Sequence, residues 1–205
     1  MQKYGRTFHL PISLGATSDD KILTSLEGLS GDDLIVTEKM DGENTTLHAN
    51  GTHARSPDSR YHPSRDWVKA FAAGISPQLA TGERIIGENL FARHSLAYDA
   101  LPSYFLGFAW IVDGVFQSWD QTVARFAELG ITPVPTLYRG PYVANLFEDI
   151  AASLDPKKQE GFVVRAAGPF PETEMSARLG KYVRQDHVQS DTHWMHAPMI
   201  ANKLA

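Results

Sequence analysis

The chain of 205 residues has no cysteine. That excludes disulfides, thiolate metal sites and cysteine nucleophiles. Positive charge is not in excess: 19 Lys and Arg stand against 24 Asp and Glu, a formal net charge of −5. A surface that binds nucleic acid broadly, through many phosphate contacts, is therefore not expected, although a local basic groove is compatible with this balance. No apolar run reaches membrane-spanning length, and Met1-Gln2-Lys3-Tyr4-Gly5-Arg6 is not followed by an apolar signal segment. The expectation is a cytoplasmic protein with no membrane partner. Internal repeats and low-complexity linkers are absent too. The histidines fall into no zinc spacing; His193-Trp194-Met195-His196 comes closest and reads as a packed C-terminal segment.

What is present is an ordinary soluble composition, 42% hydrophobic and 21% charged, long enough for one domain with a sizeable core. We read residues 1–205 as a single unit. Leu34–Lys39 and Thr45–Ala49 have the pattern of strands, with a turn-like Asp41-Gly42-Glu43-Asn44 between them. Glu83–Asn89, Tyr104–Val112, Gly161–Ala166 and Leu179–Val183 are further strands. Helical spacing marks Lys21–Leu29, Arg65–Gly74, Trp119–Leu129 (closed by Gly130) and Tyr142–Leu154, whereas His53–Ser64 reads as a loop. Strands and helices in mixed order, with hairpin-like turns, indicate an α+β fold of antiparallel sheets flanked by helices. Basic residues gather in Arg55–Lys69, Arg84–Arg93 and Arg178–Arg184.

The segment Glu38-Lys39-Met40-Asp41-Gly42-Glu43-Asn44 carries the chemistry. It sets a lysine in a Lys-x-Asp-Gly frame directly after a buried strand. Burial and neighbouring cations there are expected to lower the lysine's pKa and favour the neutral, nucleophilic amine. Five further elements follow in order: Arg55-Ser56; Gly87-Glu88-Asn89; the aromatic run Tyr104 to Trp110; Glu160-Gly161-Phe162-Val163-Val164-Arg165; and Leu179-Gly180-Lys181-Tyr182-Val183-Arg184. In-line nucleotidyl transfer needs positioning and charge neutralisation, which such cations, carboxylates and an aromatic face can supply.

In this order the elements resemble the covalent nucleotidyltransferases, and specifically the ATP-dependent RNA ligase family, from about Arg6 to about Leu204. The resemblance implies a nucleotidyltransferase (adenylyltransferase) domain, DNA-ligase-like and ATP-grasp-like. It implies that Lys39 attacks the α-phosphorus of ATP to form a lysyl–AMP adduct. Glu38 and Asn44 would orient the nucleotide, Arg55 would contact the ribose and the activated 5′ end, and Glu88 would bind the ribose hydroxyl. Phe108 would stack on adenine, Glu160 (with Glu88) would hold Mg²⁺ or Mn²⁺, and Lys181 would contact the α-phosphate. Arg165 and Arg184 are further candidate phosphate cations. The implied partners are RNA ends, in a nicked duplex or an RNA–DNA hybrid, and a repair partner protein.

Two positions depart from the family pattern. Ala109 follows Phe108 where many relatives carry an acidic residue, and Val183 stands where many carry a second lysine. Alternation along a strand turns Arg184 away from Lys181, so Lys181 is the stronger candidate. The flanks outside Lys39 and Arg184 are too short for an OB domain or a C-terminal accessory domain. That suggests limited autonomous affinity for polynucleotide, with slow sealing or reliance on a partner. The alternatives are a DNA ligase, a capping-type guanylyltransferase, or a nucleotide-binding subunit of a repair complex with weak catalysis.

Overall fold

The computed structural model describes residues 2–31, 33–185 and 199–205; the His193 to His196 segment lies outside them. Two sheets stack face to face. The first holds β1 (Phe8–His9), β2 (Asp33–Lys39), β9 (Thr136–Pro141), β10 (Gly161–Ala166) and β12 (Leu179–Val183), in the order β1-β12-β10-β2-β9. The second holds β3 (Glu43–His48), β4 (Gly51–Ala54), β5 (Glu83–Asn89), β6 (Phe105–Val112), β7 (Val115–Phe116), β8 (Thr132–Pro133) and β11 (Phe170–Pro171). Its order is β11-β7-β6-β5-β3-β4, with β8 beside β6. Pairing is antiparallel except at β1–β12 and β6–β8. The helices are α1 (Glu27–Ser30), α2 (Asp66–Ile75), α3 (Trp119–Leu129), α4 (Leu146–Ser153) and α5 (Met175–Arg178). Among the described residues no helix is long and apolar enough to cross a membrane.

Period-2 alternation sorts the strand residues into three layers of core. On β2, Leu34 and Val36 join Phe162, Val164 and Tyr182 on the outer face of the first sheet, covered by Phe147 of α4. Leu47, Ile85 and Phe105 face outward from the second sheet against Val68 and Ala72 of α2 and Phe126 of α3. Ile35, Leu106, Ile86, Ile111 and Leu179 fill the space between the sheets. Helix α3 starts at Ser118, whose hydroxyl accepts from Gln121 N, and stops at Gly130 in the left-handed region.

Three expectations need correction. The apolar stretch Lys21–Leu29 is not one helix. Leu23 N donates to His9 O, so the first half is extended and bridges to β1, and only Glu27–Ser30 is helical. The stretch read as a loop from His53 begins inside strand β4, which closes a hairpin with β3. The edge strand β9, with its alternating exposure and a terminal proline, was not expected from the sequence.

Candidate active site

Register places the key residues of the first sheet on one face. Lys39 pairs with Gly161, and Val163 pairs with both Thr37 and Lys181. Residues two apart share a face, so Lys39, Thr37, Val163, Arg165 and Lys181 all point into the space between the sheets. Gly161 is required by close approach: a Cβ there would lie 2.0 Å from Tyr182 O. Opposite, Asn44 pairs with Glu88 on the second sheet, and Arg55 N donates to Asn44 O across the hairpin. A cavity of about 230 Å³ lies between the two sheets, lined by Glu38, Lys39, Asn44, Arg55, Glu88, Phe108, Arg165 and Lys181. All of the expected nucleotide-binding residues except Arg184 are thus brought to one place, and Glu160 reaches it through Lys39.

The Lys-x-Asp-Gly frame has a physical reason at each position. Lys39 Nζ lies 2.6 Å from Glu160 Oε2. Met40 is buried among Ile35, Leu90 and Leu106. The Asp41 carboxylate accepts from Ser95 N and Leu96 N, both at 2.7 Å, and Asp41 N donates to Tyr98 Oη at 2.9 Å. A Cβ at Gly42 would come within 2.6 Å of Asn89 O. Asp41 and Gly42 therefore fix the backbone after β2, and Lys39 is left as the group facing the cavity.

Phe108 arrives there through a β-bulge. Ile86 pairs with Ala109 and Gly87 with Gly107, so Phe108 has no partner on β5. The extra residue turns Phe108 and Ala109 toward the same inter-sheet space, a re-aiming that strict alternation forbids. Phe108 meets Tyr4 edge to face, with centroids 5.7 Å apart.

The electrostatics correct one expectation. Burial alone would lower the Lys39 pKa, but Glu160, Glu88 and Asp41 together outweigh it and hold the amine above its ordinary value. In the free chain Lys39 is an ammonium group stored against Glu160. Lys181 behaves in the opposite way: burial, then the charge of Lys39, holds it below its ordinary value. Burial pushes the Glu88 carboxyl up to about 8, with Lys39 opposing and Glu160 adding.

The other candidates differ in what they have free. Asn44 Oδ1 and Arg55 Nε are buried with no hydrogen-bond partner among the described residues. Glu38 follows the alternation to the face opposite Lys39, and its carboxylate accepts from Gln159 Nε2 at 2.9 Å. Arg165 is 3% exposed beneath the cavity. Its Nε donates to Ala166 O and its Nη2 to Gln117 O, with Phe116, Trp119 and Phe170 around the guanidinium. Arg184 donates to Gln159 O and does not line the cavity. Tyr4 and Thr7 do line it and were not singled out from sequence. No local pattern marks them, because they arrive with the N-terminal segment. Arg65, buried and paired with Glu43, was also missed; it ties α2 to the residue before Asn44.

No cluster of three His, Asp or Glu able to cage a metal exists among the described residues. Two carboxylates, Glu88 and Glu160, lie near Lys39 instead. That donor set fits magnesium, which is commonly held by one or two carboxylates plus substrate phosphates.

Comparison with known proteins agrees with this geometry. An archaeal ATP-dependent RNA ligase superposes with a TM-score of 0.61 at 15% identity, over 90% of this chain and 48% of that one. The Naegleria gruberi RNA ligase with PPi gives 0.57 at 17% identity, over 82% and 54%. A variant of the same protein with ATP and Mn gives 0.55 at 14% identity, over 82% and 53%. The chain thus spans about half the length of these solved ligases. A search of curated protein sequences finds no match. A profile of the RNA ligase family matches residues 32–183, the span from β2 through β12 that builds the cavity. The chain belongs to the RNA ligase family.

Proposed function

We propose that the chain is an ATP-dependent RNA ligase that works through a lysyl–AMP adduct on Lys39. The observation that carries this reading is one cavity holding Lys39, Lys181, Arg55, Asn44, Glu88 and Phe108 on two facing sheets. Phe108 offers an aromatic face for adenine, and the unpartnered Asn44 Oδ1 and Arg55 Nε offer polar atoms for the sugar and phosphates. Glu88 would take the ribose hydroxyl.

In the first step Lys39 Nζ attacks the α-phosphorus, a P–N bond forms and pyrophosphate leaves. Attack requires the neutral amine, and Glu160 Oε2 at 2.6 Å is the nearest acceptor for the proton. Lys181 and Arg55 would balance charge on the crowded phosphorus. In the second step a 5′-phosphate oxygen attacks the same phosphorus and releases Lys39. In the third, a 3′-hydroxyl attacks the activated 5′-phosphorus and AMP leaves. Glu160 and Glu88 would hold Mg²⁺ or Mn²⁺ together with nucleotide phosphates, as the ATP and Mn of the Naegleria gruberi variant suggest. Bound there, the ion supplies neutralisation of phosphate charge. The acceptors would be RNA ends undergoing repair, presented in a nicked duplex or hybrid or by a partner protein.

The test is incubation with α-labelled ATP and Mg²⁺, beside labelled GTP and NAD⁺, followed by denaturing electrophoresis. Label from ATP on the wild type and none on Lys39→Ala is the expected result. Label from GTP alone would replace this reading with a capping-type enzyme. No label from any nucleotide would leave a binding protein.

A further inference from the structure

The N-terminal segment carries a charged group beside the site. Strand β1 runs parallel to β12 with His9 opposite Lys181, and Leu10 N donates to Lys181 O at 2.7 Å. Asp20 Oδ1 lies 3.4 Å from His9 Nε2 and 3.9 Å from Lys181 Nζ. Its other oxygen accepts from Thr17 N at 3.2 Å and Thr17 Oγ1 at 3.0 Å. His9 is 2% exposed, and its Nδ1 lies 2.7 Å from Ser13 Oγ. Ser13 Oγ accepts from Val183 N at 2.9 Å and stands 3.3 Å from Val183 O. Ser13 Oγ donates to Val183 O, and His9 Nε2 faces Asp20 with no hydrogen-bond partner of its own among the described residues. The contacts leave β12 at Val183 and return to it at Lys181.

We propose that Asp20, held by Thr17 beside His9, is a positioning residue for Lys181, fixing the direction of its ammonium group; the proposal rests on the ligase reading above. Lysine is a point charge on a flexible four-carbon stem, so its direction has to come from a partner. Two cations, Lys39 and Arg55, and two carboxylates, Asp20 and Glu160, act on Lys181, with His9 beside it on β1. Glu160 pairs with Lys39 at 2.6 Å, whereas Asp20 pairs with Lys181. Asp20 does not line the cavity, so its role is exerted through Lys181.

Asp20 opposes the burial and the Lys39 charge that lower the Lys181 pKa. Without it Lys181 loses its proton at lower pH. The experiment follows lysyl–AMP formation across pH with the full chain as wild type, Asp20→Asn, Asp20→Glu and His9→Gln, alongside melting temperatures. For Asp20→Asn the rate falls by up to roughly a hundredfold, the scale of a misplacement of about 1 Å. The alkaline limb of its pH profile moves to lower pH. Asp20→Glu moves that limb back toward the wild-type position, and His9→Gln, which leaves the Thr17 hydrogen bonds to Asp20 in place, shifts it less than Asp20→Asn. A melting-temperature loss with an unmoved alkaline limb overturns the proposal. A wild type that forms no adduct overturns the ligase reading instead. In that event ¹⁵N NMR titration of Lys181 still decides the pairing: an Asp20→Asn titration identical to wild type overturns it.

Discussion

Lys39 sits 2.6 Å from Glu160 in a partly buried pair, and the carboxylates around it outweigh burial. An amine held in this form is not nucleophilic until it gives up its proton. The side-chain nitrogen of Lys39 is therefore expected to titrate above the ordinary lysine value of about 10.4 in the free protein, by NMR. Glu160→Gln should bring it down; a wild-type titration at or below the ordinary value would contradict the pair. Glu88 answers to the same environment with the opposite consequence. Its folded carboxyl is raised to about 8, mainly by burial. Its contribution to stability is fully present below the unfolded value and is lost as pH rises toward the folded one. Glu88→Gln should therefore gain stability relative to the wild type between about pH 5 and about pH 9, read as the difference between their melting temperatures. Parallel curves would mean that Glu88 is charged throughout.

At the scale of elements, the bulge in β6 decides which side chain faces the cavity. Phe108→Ala is expected to weaken ATP binding by about 1–3 kcal/mol, the range for loss of an aromatic stacking on a base. Equal affinity in a folded variant, by calorimetry, would assign the base to another residue. Much of this level was legible in the sequence. Glu83–Asn89, Trp119–Leu129, Gly161–Ala166 and Leu179–Val183 have in the structure the bounds expected from the sequence, the helix because Gly130 stops it. Lys39, Glu88 and Lys181 were legible because each lies on a strand whose register is fixed by a buried face. The bulge was not, since it depends on which β5 residue pairs with which β6 residue. Tyr4, Thr7 and Asp20 were not, since they reach the site through the parallel pairing of β1 with β12. The charge state of Lys39 was misjudged for a related reason: Glu160 lies 121 residues away in sequence and 2.6 Å away in space.

Across the whole molecule, two sheets supply two halves of one site. The first sheet gives Lys39 and Lys181, and the second gives Asn44, Glu88 and Phe108. The net charge of −5 gives no general attraction for polynucleotide. Lys39 is the group proposed to take AMP. The direct measurement is peptide mapping by mass spectrometry after reaction with ATP and Mg²⁺. AMP is expected on the peptide containing Lys39, attached through an acid-labile phosphoramidate. AMP on any other residue, or an adduct that survives acid, would contradict it.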